Sequence, residues 1–270
     1  MPPEGKTPLL ELRGISKRFG AVQALTDVDF EVYAGEVVGL VGDNGAGKST
    51  LIKCIAGIHA ADAGQYLFKG RPVTINNPQD SAVLGIETVY QDLALCDNLD
   101  VVANLFLGRE QTNGGLPAMK PMDEVAMEKR AIGVLRGLQV SIPSVRTRVA
   151  SLSGGQRQST AVARAVMWNS KIVILDEPTA ALGVAQTAQV LELIKRLRSQ
   201  GLGVVVISHN LADVFEAVDR IIVLRLGRRV ATFDIHTTSQ EQVVAAITGA
   251  EFGKIEESGR DKLPTGEGTK

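Results

Sequence analysis

The feature that most restricts this chain lies at residues 37–56. Five apolar residues, Val37-Val38-Gly39-Leu40-Val41, run into Gly42-Asp43-Asn44-Gly45-Ala46-Gly47-Lys48-Ser49-Thr50, and an apolar helical pattern (Leu51, Ile52, Ile55, Ala56) follows. An all-apolar run of this length reads as a strand covered on both faces. The next eight residues, Gly42 to Ser49, fit G-x-x-x-x-G-K-[ST], a loop that wraps phosphate. Its glycines let backbone N–H groups converge on phosphate oxygens without Cβ interference. Lys48 adds a cation within reach of β- and γ-phosphates, and the Ser49 hydroxyl is a ligand for Mg²⁺. The helix starting near 48 turns its positive end toward the anion. The chain is therefore expected to bind a nucleotide, with Mg²⁺.

Two more apolar runs, 172–175 and 204–207, each precede a helical pattern. Leu211, Val214, Phe215 and Val218 recur at i, i+3, i+4 and i+7. Val190, Leu191, Ile194 and Leu197 mark a helix that stops near Gly201. Strand and helix in alternation predict an α/β protein with a parallel sheet. In such sheets, ligands bind beyond the carboxyl ends of the strands. Asp176 and Glu177 close the run Ile172-Val173-Ile174-Leu175 at such an end. Beside a phosphate loop, Asp176 is placed to hold Mg²⁺ through water, and Glu177 to act as general base on an attacking water.

Other stretches depart from this alternation. Residues 10–33 and 64–75 read as antiparallel strands, and 221–233 as a hairpin around Gly227-Arg228. Residues 92–168 read as mostly helical, with a Gly/Pro-rich loop at 111–122 and a helix capped by Asp123. Ser239 with Gln242 forms a capping-box pattern before a last helix ending at Gly249. Residues 251–270 read as a disordered tail. The charge balance, 29 Lys plus Arg against 30 Asp plus Glu in 270 residues, argues against a general nucleic-acid binder. No apolar run approaches the roughly 20 residues that span a bilayer, and the first residues carry no apolar signal segment. Two cysteines, Cys54 and Cys96, make neither a disulfide framework nor a zinc set. A soluble intracellular protein is the expectation.

At 152 the chain reads Leu-Ser-Gly-Gly-Gln before a helical run (Ala161, Val162, Ala165, Val166). Alone, this is as well read as an ordinary N-cap as an anion site. Together with the phosphate loop and Leu175-Asp176-Glu177, it resembles the ATP-binding-cassette (ABC) ATPase family, from about Leu10 to Gly249. The resemblance implies a P-loop NTPase (RecA-like) core, 8–91 and 169–250, with an antiparallel β subdomain and an inserted helical subdomain at 92–168. It implies ATP and Mg²⁺. It assigns Phe19 to stacking on adenine, Gln91 to Mg²⁺ and the attacking water, and His209 to the γ-phosphate. It implies two cassettes packed head to tail, each ATP held between one loop and the partner copy's Ser153, Gly154, Gly155 and Gln156. His59 and His236 read as structural, and both cysteines as inert. One departure stands out: where the family pattern ends Ser-Ala-Leu-Asp, this chain has Ala180-Ala181-Leu182-Gly183. Glycine lacks the aspartate's cross-dimer hydrogen bonds, and a positive φ at Gly183 would explain it.

Three readings of such a cassette compete: the motor of a membrane importer, a soluble ABC protein of DNA repair or translation, and a nucleotide-gated regulatory module. There are no sustained heptads and only one cassette, and Glu177, His209 and the Ser153 segment are all present, which favours the first. Residues 90–99, 104–110, 180–184 and 208–211 resemble cassettes of monosaccharide importers of the ribose, xylose and fructose type, with the single cassette closest to the fructose type. That resemblance implies a homodimer at the cytoplasmic face of the inner membrane, bound to transmembrane permease subunits and served by an external sugar-binding protein. A permease helix would enter a groove between core and helical subdomain, and 92–107 offers Leu93, Leu95, Leu99, Leu105 and Leu107 to line it.

Overall fold

The computed structural model describes residues 6–113 and 121–250, so the tail at 251–270 and most of the Gly/Pro-rich loop lie outside the described residues. The chain opens with a hairpin, β1 (Leu10–Phe19) and β2 (Val22–Val32). Val28, Phe30 and Val32 are fully buried while Asp27 and Asp29 are exposed, the alternation of a strand with one face on a core. Then come β3 (Val37–Val41), buried throughout, and α1 (Lys48–Ile55). Two short strands, β4 (Ala63–Phe68) and β5 (Arg71–Val73), precede α2 (Pro78–Val83) and β6 (Ile86–Val89). Helices α3 (Val101–Phe106), α4 (Glu124–Gly137) and α5 (Gly154–Val166) follow, with a single 3₁₀ turn at Val149–Ser151. Strict alternation resumes with β7 (Ile172–Asp176), α6 (Val184–Ser199), β8 (Gly203–Ile207) and α7 (Leu211–Ala217). A hairpin, β9 (Arg220–Arg225) and β10 (Arg228–Asp234), leads to α8 (Gln240–Thr248), which ends on Gly249.

The strands form two sheets. One is antiparallel, in the order β2-β1-β4-β5; the other has the order β10-β9-β3-β8-β7-β6 and is parallel except for β10. The period of two along the central strands sorts their side chains. Val37, Val41, Val89, Val173, Leu175, Val204, Val206, Ile221 and Val223 join one buried cluster with α3 to α7. Val38, Leu40, Ile86, Ile172, Ile174, Val205, Ile207, Ile222 and Leu224 join a second with α1 and the antiparallel sheet. The six-stranded sheet is thus covered on both faces, as its apolar runs required.

A buried ion cluster ties the two sheets together. Arg220, 1% exposed at the start of β9, donates to Glu36 (Nε to Oε1, 2.8 Å) and to Glu31 on β2 (2.6 Å to the carboxylate, 3.0 Å to the carbonyl). Arg229 on β10 also pairs with Glu31, at 2.8 Å. Helix α2 is the element that apolar periodicity does not signal. It is six residues long, Ser81 is its buried residue, and Asn77 fixes it by accepting from the N–H groups of Gln79 and Asp80 in a capping box with Pro78 at the first position.

Candidate nucleotide site

Parallel pairing brings the ends of β3, β8, β7 and β6 to one edge, since Leu40 sits beside Ile207, Ile207 beside Asp176, and Leu175 beside Val89. The loop at 42–47, Ser208-His209, Asp176-Glu177 and Tyr90-Gln91 therefore all issue from the same side of the sheet. The loop's shape depends on glycine. A Cβ on Gly42 would run into the Leu224 carbonyl oxygen, and one on Gly47, whose φ is +104°, would come 2.9 Å from the Ala24 carbonyl oxygen. Gly47 caps α1 with no side-chain hydrogen bond, which leaves the first-turn N–H groups unspent for an anion. Lys48 Nζ donates to the carbonyls of Gly42 (2.7 Å) and Asp43 (3.0 Å), and burial pushes its pKa down against the pull of Glu177, Asp43 and Asp176. Asn44, Gly45, Ala46, Gly47, Lys48, Ser49 and Thr50 line a cleft of about 380 Å³.

The rest of that cleft comes from elsewhere in the chain: Val22, Gln23 and Ala24 on one side, Leu226 and Gly227 on the other. The β9–β10 turn is pinned there, because Gly227 N–H donates to Ala46 O (3.0 Å) and Thr26 N–H to Gly227 O (2.8 Å). Leu226 is 78% exposed with φ +48°. A Gly-containing hairpin turn was legible in the sequence; its place against the phosphate loop was not. Phe19 is 42% exposed rather than core, and lies across the hairpin from Val22. Its ring meets His59 edge-on at 5.0 Å, and Lys17 Nζ lies 5.4 Å from its centre.

Asp176 ends β7 and Glu177 begins the loop after it. Burial, and next the neighbouring Glu177 charge, push the Asp176 carboxyl up from its ordinary pKa, against Lys48 and Lys53. Glu177 has φ +51°, a sparsely occupied region for a side chain of this size and one that recurs at functional sites. Its N–H donates to Ile207 O (2.9 Å), and its Oε1 lies 2.9 Å from His209 Nδ1. The His209 side chain is 76% exposed while Glu177 is largely covered, so the imidazole fronts the carboxylate on its solvent side. Ser49, Gln91 and Asp176 offer a hydroxyl, an amide oxygen and a carboxylate. That hard-oxygen set fits Mg²⁺. Among the described residues no group of three or more His, Cys, Asp or Glu could hold a metal alone, so phosphate and water would have to supply the remaining ligands.

Ser153 caps α5. Its Oγ accepts from Gln156 N–H (3.3 Å), and its own N–H donates to Gln156 Oε1 (3.0 Å). The N-cap reading is thus literally true of these residues. None of Ser153, Gly154, Gly155 and Gln156 lines the cleft at the phosphate loop; Gly155 and Gln156 instead line a cavity of about 300 Å³ with α6 and the residues after α4. Gly183 overturns one expectation. Its φ is −74° and ψ 164°, it caps α6, and a Cβ there meets nothing within 4 Å. A positive φ does not account for glycine at this position. The leucine segment also divides. Leu105 and Leu107 line a cleft of about 220 Å³ between β6 and α5, with Glu87, Arg109 and Trp168. Leu105, 1% exposed, is also part of the main core, against which the half-buried Leu93 and Leu95 pack, and Arg164 of α5 holds the carbonyls of Leu93 and Ala94, each at 2.8 Å. Cys54 is buried with its thiol pushed up to about 11, an unreactive state.

The ABC transporter family model matches residues 25–180, from β2 through the Asp176-Glu177 turn. The xylose/arabinose import ATP-binding protein of Sulfolobus acidocaldarius is 47% identical over 247 residues, covering 92% of this chain and 96% of that protein. The fructose import ATP-binding protein of Rhizobium meliloti is 46% identical, covering 90% of this chain and 95% of its own length. Among solved structures, the ADP conformation of an ATP-binding cassette of an ABC transporter aligns with a TM-score of 0.76 at 27% identity, over 91% of this chain and 96% of that one. A dimeric post-hydrolysis cassette bound to ADP and Pi aligns with a TM-score of 0.69 at 25% identity, over 84% and 98%. The chain belongs to the ABC transporter family. It is an ATP-binding cassette of that family, an ATPase. Among the described residues no helix is long and apolar enough to cross a membrane.

Proposed function

We propose that this cassette energises monosaccharide uptake through a separate permease. The observation that carries its chemistry is the pair at the sheet edge, Glu177 Oε1 and His209 Nδ1, 2.9 Å apart beside the Lys48 loop. Glu177 accepts the proton of the attacking water, and His209 holds the carboxylate and faces the γ-phosphate. Lys48 exchanges two loop carbonyls for phosphate oxygens. Ser49, Gln91 and Asp176, the last through water, would hold Mg²⁺, which would neutralise phosphate charge. Phe19 stacks on adenine at the open end of the β1–β2 hairpin.

Each site is completed by a second copy. Ser153, Gly154, Gly155 and Gln156 do not line their own chain's phosphate-loop cleft, and the exposed Ser153 and Gly154 at the N-terminus of α5 meet the partner's γ-phosphate. The dimeric relative supports this arrangement. The names of the two relatives support sugar as the cargo, selected outside the cassette by the permease and an external binding protein. The cassette then lies on the cytoplasmic face of the membrane. The cleft holding Leu107, 47% exposed, with Arg109 and Trp168 is part of the permease-docking surface.

Glu177→Gln tests the chemistry. ATP binding should survive, turnover should fall by about 10²-fold or more, and sizing chromatography with ATP and Mg²⁺ should show a dimer. A monomeric variant under those conditions would refute the head-to-tail pair. Leu107→Glu tests the coupling: it should keep basal ATPase and lose uptake of labelled fructose, xylose or ribose in cells expressing the cognate permease. Uptake at the wild-type rate would remove this cleft as the docking surface.

A further inference from the structure

Two loops carry the hydrolytic pair, and the backbone alone does not fix their spacing. Glu177 begins the loop after β7, and His209 lies in the loop after β8. The first link between them is Glu177 N–H to Ile207 O, and the second is Glu177 to His209. A third lies farther out. Thr179 Oγ1 donates to Asp213 Oδ2 at 2.6 Å. Thr179 is 8% exposed, and Asp213 sits in the first turn of α7. That distance is typical of a hydroxyl donating to a carboxylate, a bond roughly twice as strong as a neutral one. Both segments are otherwise stiff. Ala180 N–H donates to Glu177 O (3.1 Å) and Leu182 N–H to Thr179 O (3.3 Å). Ser208 Oγ accepts from Asn210 N–H (3.0 Å), and Asn210 Oδ1 accepts from Ala212 N–H (3.1 Å).

We infer that Thr179 and Asp213 are positioning residues: their hydrogen bond sets the separation of the two loops, and through it the placement of the Glu177 carboxylate against His209. Two stiff turns joined at three points behave as one body. Without the outer bond, the links left between the two loops among the described residues are the Glu177 N–H to Ile207 O bond at their base and a mostly exposed imidazole. A carboxylate that wanders by a fraction of an ångström is a poorer base, because turnover depends steeply on near-attack geometry. Nucleotide affinity, set by the Lys48 loop and the β1–β2 hairpin, does not depend on this bond. The inference rests on the reading of Glu177 and His209 as the hydrolytic pair.

Thr179→Val keeps the shape and removes the donor. It should lower kcat by about tenfold with KM for ATP within about twofold, and flatten or displace the pH profile of kcat. Thr179→Ser should restore both. Asp213→Ala, on the other partner, should reproduce the loss, and the double variant should be no worse than either single one. Wild-type kcat in Thr179→Val or Asp213→Ala, failure of serine to rescue, or additive losses would each overturn the proposal. Glu177→Gln, run alongside, separates the two levels. If it is inactive while the Thr179 and Asp213 variants turn over normally, the pair stands and the brace falls. If it hydrolyses ATP at the wild-type rate, the pair itself was misassigned.

Discussion

Asp176 shows what a half-buried carboxylate at the proposed Mg²⁺ site costs the nucleotide-free protein. Burial and the Glu177 charge hold its pKa above the unfolded value of about 3.9. Between those two pKa values the native chain binds more protons than the unfolded one. Stability is therefore lost as pH rises through the folded pKa and stays lower at neutral pH. Asp176→Asn should make the nucleotide-free protein more resistant to urea at pH 7, a gain that shrinks toward pH 4, while Mg²⁺-dependent ATP turnover is lost. Equal urea midpoints for the two proteins at pH 7 would contradict this. Gly183 is the opposite case, a position that looks strained in sequence and is not. With φ −74° at the N-cap of α6 and open space around a Cβ, it accepts aspartate readily. Gly183→Asp should raise the unfolding free energy by a few tenths of a kcal/mol, the margin of a capping side chain over glycine, and a lower thermal midpoint would argue against it. Neither effect is written in the local sequence, since one depends first on burial inside a fold and the other on a dihedral.

Among the elements, the buried strands and their helices were legible because period and run length are local signals. Val37 to Val41 must be covered on both faces wherever it sits, and Gly42 to Thr50 has few uses other than phosphate. Helix α2 was not legible: with six residues and Ser81 as its buried side chain, it has no apolar stripe, and only the Asn77-Pro78-Gln79-Asp80 cap announces it. The Leu226-Gly227 wall and the Thr179–Asp213 bond were equally hidden, because each joins residues distant in sequence. Gly39 shows how one element sets another. A Cβ there would lie 3.0 Å from Val214 Cγ1 and 3.3 Å from Val218 Cγ1, so α7 rests directly on the bare backbone of β3. Gly39→Ala should cost about 1–3 kcal/mol by overpacking. It should also lower kcat, because the helix it displaces carries Asp213 and follows His209. Unchanged denaturation and unchanged turnover together would mean that α7 has slack the structure does not show.

At the scale of the whole molecule, Arg220 joins the antiparallel sheet to the central one, far along the strands from the nucleotide edge. Arg220→Met would leave Glu36 buried without its cation and Glu31 with Arg229 alone, and should lower the unfolding free energy by about 3–5 kcal/mol in urea titrations. Adding Glu36→Gln should recover part of that loss; a single variant as stable as wild type would mean the cluster holds nothing together. The strand order has a different consequence. Strand β3, which presents the phosphate loop, is hydrogen-bonded on one side to β8 and on the other to β9, both made more than half a chain later. A chain emerging from the ribosome thus exposes its phosphate loop long before either neighbour of that strand exists. Nucleotide capture is then among the last abilities the newborn chain acquires, and until β8 and β9 arrive the apolar strand β3 is work for a chaperone.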